Sequence, residues 1–211
     1  MFMVRPVVPD ISPITTGNFG VMAVWLTVLV FTGFAAYAIA DYLVQRYNSE
    51  RKKTVFYIIA VSVILTLVML CFFGLSATTV KGIVMSLIMI TASYEDIKTR
   101  ECDDSLHILI VVAAFIGIEM FSLVEMTFAA ITVFAVMMAT ALITKSEIGG
   151  ADIKLSVACA FLFGIRRGLS GLMLGLMLAV AINLVKGKKR IKEGFPMIPY
   201  LAAGYMAAYF I

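Results

Sequence analysis

A polytopic, all-helical integral membrane protein is the fold class this sequence predicts, and three observations carry the prediction. Hydrophobic residues fill 62% of the 211 positions and charged residues only 14%, a balance that excludes an ordinary soluble domain. The apolar residues come in runs of roughly 20, the length that crosses a hydrocarbon core of about 30 Å at about 1.5 Å per residue. Those runs are continuous instead of alternating, and Leu, Met and Ala are abundant in them. Helices, which satisfy their own backbone, therefore fit better than barrel strands.

About eight spans follow along the chain. A Pro- and Gly-bearing tail at 1–20 precedes the first and has no basic flank, so no signal peptide is expected and the first helix is retained. Two helices come next, Val21 to Val44 and Val55 to Leu75, separated by the basic loop Gln45 to Lys53. Asp41 reads as an interfacial side chain beside Tyr42 and Arg46. Six further spans run from Thr79 to Glu95, Ser105 to Val124, Met126 to Thr144, Asp152 to Ile165, Leu169 to Val185 and Phe195 to Ile211.

The basic residues set the orientation. Thirteen of the 17 lysines and arginines fall at the odd-numbered turns, while Arg5, Lys81, Arg166 and Arg167 fall on the other side. The odd turns are then cytoplasmic and both termini lie outside. The run from Lys186 to Lys192 suits anionic lipid headgroups, at about 1 kcal/mol per basic residue near the surface.

Two acidic positions on that cytoplasmic side stand out. An aspartate at mid-bilayer costs roughly 2.5–3.5 kcal/mol on insertion scales, so Asp96 in Tyr94-Glu95-Asp96-Ile97-Lys98 and Asp152 in Gly149-Gly150-Ala151-Asp152-Ile153-Lys154 require a reason. Asp152 suits capping of its helix as well as it suits catalysis. Asp96 ends its helix, where the dipole disfavours a negative charge, and a solvated pairing with Lys98 or Arg100 competes with a chemical role. Two carboxylates meeting in one wet pocket could hydrolyse a peptide, one as base and one as acid, because like charges held together cannot both ionise easily. The span opening at Asp152 has 14 residues, about 21 Å, which places that carboxylate below the headgroups in a water-filled cleft.

These motifs resemble the type IV prepilin peptidases, a family that includes the preflagellin peptidases. Asp96 takes the place of the aspartate ending the first core helix, and Gly149, Gly150, Ala151, Asp152 and Lys154 take that of the Gly-x-Gly-Asp-x-Lys signature. Phe195-Pro196-Met197-Ile198-Pro199 resembles the proline-paired segment that opens the last helix. The resemblance implies a six-helix catalytic core over 79–211, with residues 21–78 forming two accessory helices. It implies Asp96 and Asp152 as the catalytic residues of an aspartic endopeptidase. It implies cleavage of a short basic leader from a prepilin or pseudopilin at the cytoplasmic face of the inner membrane, with no cofactor and no metal. Larger relatives also methylate the new N-terminus through a cysteine-bearing domain after the first helix. The loop Gln45 to Lys53 has no room for one, so no methyl transfer is expected.

Two departures accompany the match. Ala151 replaces the second glycine, which matters only if that position needs positive φ. Cys102-Asp103-Asp104 stands where the family carries a proline. Glu101, Asp103 and Asp104 form, with Glu95 and Asp96, an acidic patch able to attract a basic leader, in competition with a purely solvated loop. Cys71, Cys102, Cys159 and the single His107 have no zinc-site spacing, His107 reading as a polar residue near a helix entrance. Membrane lipid is an expected partner and nucleic acid is not. Two other functions compete: an intramembrane protease of other helices, and a transporter or scaffold using the aspartates for ions.

Overall fold

A computed structural model describes residues 19–117, 122–143, 149–186 and 195–211, and these are helical apart from short links. In chain order the helices are α1 (Phe19–Tyr47), α2 (Arg51–Phe73), α3 (Ala77–Thr99), α4 (Asp104–Ala114), α5 (Ser122–Ile143), α6 (Gly150–Lys186) and α7 (Ile198–Ala208). Five of them, α1, α2, α3, α5 and α6, are long and apolar enough to cross a membrane, which makes the chain a multi-pass membrane protein. The expected count was about eight. At 11 residues each, α4 and α7 reach only about 16 Å. The basic run after Lys186 lies outside the described residues.

The chain divides into two compact units, Met1–Leu87 and Ile88–Ile211, with α3 running from one into the other. In the first unit α1 packs on α2 across a tight reversal at Asn48, which holds a positive φ of 46°. Ala36, Ala40 and Leu43 are buried while Phe31 and Phe34 stay exposed on a helix apolar all round, the pattern of a membrane span. Asp41 is tied in place: Arg51 pairs with it at 2.8 Å, and Gln45 Nε2 donates to its other oxygen at 2.8 Å.

In the second unit α6 packs against α4, α5 and α7. It is one helix only in name. Gly164 lies at φ 75° and ψ 179°, a conformation essentially confined to glycine, and breaks α6 into arms 150–163 and 165–186. A Cβ on Gly168 would stand 3.0 Å from Ala160 Cα, so the arms fold back on one another. Two separate spans were expected here, joined at Arg166-Arg167. The reversal instead falls at Gly164, and both arginines belong to the second arm, because the backbone turns where a residue without Cβ permits it.

α7 and the second arm of α6 meet backbone to backbone. A Cβ on Gly175 would approach Leu201 Cα to 2.8 Å, and one on Gly204 would collide with Gly175 N and Gly171 O. Such glycine contacts are how membrane helices approach closely, since lipid gives apolar surfaces no drive to associate.

Candidate active site

Asp96 lies in the last turn of α3, which ends at Thr99. Arg100 terminates the helix with φ 62°, its N–H bonding the Asp96 carbonyl at 3.0 Å. The carboxylate is only 6% exposed. What meets it is the start of α7, where Met197 is the N-cap and Pro199 stands in the first turn. Amides in a first turn have no intrahelical acceptor, and the Ile198 N–H donates to Asp96 Oδ2 at 2.9 Å. The positive end of α7 thus faces a carboxylate that its own helix end disfavours.

Asp152 occupies the third position of α6, counting Gly150 as first. The Ile153 N–H bonds the Gly149 carbonyl at 3.3 Å to close the first turn, and the Asp152 carboxylate reaches back to accept the Gly149 N–H. That is one half of a capping box, so Asp152 does cap its helix. It remains 9% exposed, and it is close enough to Asp96 to feel its charge. Gly149 is needed where it stands: a Cβ there would lie 3.0 Å from Asp152 Oδ2. Ala151 has ordinary helical geometry, so the departure from the second glycine introduces no strain.

The link from α3 to α4 completes the enclosure. Glu95 is 2% exposed, and its Oε2 accepts the Asp103 N–H at 3.1 Å. Asp103 is the N-cap of α4, accepting the Ser105 N–H at 3.2 Å. Its φ of −65° lies in the range a proline would hold. Cys102 sits among carboxylates. Burial, reinforced by the charges of Glu95, Asp96, Asp103 and Asp152, pushes its thiol up to about 12.

The three rim residues differ in their engagements. Glu101 is exposed, Asp103 caps α4, and Asp104 accepts two hydrogen bonds from Lys154 Nζ, at 2.8 and 2.9 Å. His107 stands in the first turn of α4, near the helix entrance as expected, and is buried there with Nδ1 3.5 Å from Asp104 Oδ1.

An apolar groove of about 480 Å³ lies nearby, lined by His107, Val111, Phe134, Val157 and Phe161. At about 100° per residue, Val157 and Phe161 project from the face of α6 turned away from Asp152, so this groove is not the site. Beneath the site, the Tyr205 hydroxyl donates to the Ser156 carbonyl at 3.2 Å, and its ring stacks on Phe163 at 5.8 Å between centroids.

Two acids, each held by backbone N–H donors and together out of bulk water, can activate a water molecule and protonate a leaving group. Asp96, Asp152 and Gly149, all flagged by the sequence motifs, come together in the second unit, whereas Lys154, flagged with them, turns away from Asp152 to bond Asp104. The Ile198 amide and the grip of Glu95 on Asp103 were not foreseen. The pair Pro196 and Pro199 was the available signal for the first, since prolines around a helix start leave few amides free to donate. Residues 83–186 match the model of the type IV leader peptidase family, a stretch that holds both aspartates. Comparisons with curated proteins and with solved structures return no significant match.

Proposed function

Since this chain belongs to the type IV leader peptidase family and is a multi-pass membrane protease by that membership, we propose that it acts as an aspartic endopeptidase. Its substrate is a type IV prepilin or pseudopilin, from which it removes a short basic leader at the cytoplasmic face of the inner membrane. The observation that carries this reading is the joint burial of Asp96 and Asp152, distant in sequence and within reach of each other's charge.

The chemistry follows from two like charges sharing one proton. The ionised carboxylate takes a proton from water as the water oxygen bonds to the scissile carbonyl carbon. The protonated partner gives its proton to the amide nitrogen, the C–N bond breaks, and an acid and an amine leave. The two carboxyl groups have then exchanged roles. The Ile198 N–H, directed at Asp96, holds that carboxylate in one orientation throughout. Glu101, exposed at the rim, is the residue best placed to attract a basic leader, Asp104 being occupied by Lys154.

The test uses inside-out membrane vesicles carrying the protein and a prepilin with a basic leader. Wild type should cleave at the leader boundary, while Asp96→Asn and Asp152→Asn should each lose cleavage by a factor of at least about 10³, with the helical circular dichroism unchanged. A variant that still processes the leader at the wild-type rate removes that aspartate from catalysis. Cleavage within a substrate's membrane helix would favour a different substrate class, and activity confined to right-side-out vesicles would reverse the orientation.

A further inference from the structure

The first turn of α4 touches both helices that carry the aspartates. On one side the Asp103 N–H is held by Glu95, the neighbour of Asp96. On the other, the very next residue, Asp104, grips Lys154, two positions beyond Asp152. A single peptide link therefore joins the end of α3 to the start of α6.

The energetics argue that this arrangement serves geometry more than stability. Asp104 and Lys154 side chains are 68% and 57% exposed, and an exposed ion pair contributes only about 0.2–1 kcal/mol. Its direction is informative. Lys154 projects about 200° around the helix from Asp152, so a tether there fixes the rotation and height of the first turn from behind. Glu95, by contrast, is a buried carboxylate that the two-acid chemistry does not use. Its bond to the Asp103 N–H fixes the backbone at the N-cap of α4.

We propose that the start of α4 is a brace that sets the separation of Asp96 and Asp152, with Glu95 and Lys154 as its positioning residues. The activity half of its test rests on the aspartic-protease reading above; the distance half does not.

In the full chain with Cys71, Cys102 and Cys159 changed to alanine, spin labels are placed at Lys98→Cys and at Gly150→Cys, where the space around Gly150 is open. Lys154→Met and Glu95→Leu should shift or broaden the label distance by several ångströms, whereas Lys154→Arg and Glu95→Gln, which keep a donor and an acceptor, should preserve it. Against a prepilin leader, the first two variants should lower kcat by about 10- to 100-fold at unchanged KM, and the conservative pair should stay near wild type. Unchanged distances in Lys154→Met and Glu95→Leu would overturn the brace. So would conservative variants as impaired as the disruptive ones, or a loss confined to KM. Lys154 is exposed, so Lys154→Met decides the matter even where Glu95→Leu does not fold. Failure of the parent protein to cleave any leader would count against the protease reading, while the distances would still judge the brace.

Discussion

Gly149 shows how little room the dyad leaves. Because a Cβ there would press on Asp152 Oδ2 at 3.0 Å, Gly149→Ala should displace the carboxylate and lower kcat about 10- to 100-fold. Gly150→Ala, with nothing within 4 Å of its Cβ, should remain close to wild type. Steady-state cleavage of a leader peptide by the two variants checks both statements. Cys102 offers a probe of charge in the same place. A thiol raised to about 12 stays protonated at pH 8, so iodoacetamide should alkylate it about a thousandfold more slowly in the folded protein than in the denatured one. The folded state then holds a proton that the unfolded state releases between the ordinary thiol range and about 12. This contribution to stability is present below that window and is lost as pH rises through it. Mass spectrometry of labelled peptides over a pH series reads the rate directly.

At the scale of elements, α7 depends on glycine for its position and Asp96 depends on α7. The close approach of Gly204 to Gly175 and Gly171 lets the Ile198 amide reach the carboxylate. A Gly204→Val change would force the helices apart and should destabilise the protein by at least about 1–3 kcal/mol. Thermal unfolding in detergent should show a lower midpoint, and cleavage should fall even at temperatures where the variant is folded. The Gly164 break works similarly for α6, since it allows a 14-residue arm to place Asp152 at one end and Tyr205's partner Ser156 in its interior.

Over the whole molecule, the connection between α1 and α2 bears on a second activity. Only Asn48, Ser49 and Glu50 separate those helices, and Asp41 clamps their ends through Arg51. No domain is inserted there, so under the proposed function the expected outcome is leader removal without methylation of the new N-terminus. Incubation with prepilin and methyl-labelled S-adenosylmethionine, followed by analysis of the product's first residue, checks this. Label on that residue would overturn the expectation.

Much of this protein was legible in residue order because the forces that dominate its folding act locally along the chain. Burial of continuous apolar runs dictates helices in a membrane. Gly149-Gly150-Ala151-Asp152 announces a helix start by its small residues and its acid. The helix count was less legible: α4 and α7 are short, and the α6 hairpin reverses at a glycine, not at the basic pair that seemed to mark a loop. Tertiary structure alone decided that Asp96 receives the Ile198 amide, that Glu95 holds Asp103, and that Asp104 is engaged by Lys154. Those contacts join residues whose separation along the chain gives no periodic signal. They exist because close packing of glycine-bearing helices brings a free helix start to a buried acid, where leaving either unpaired would cost more than pairing them.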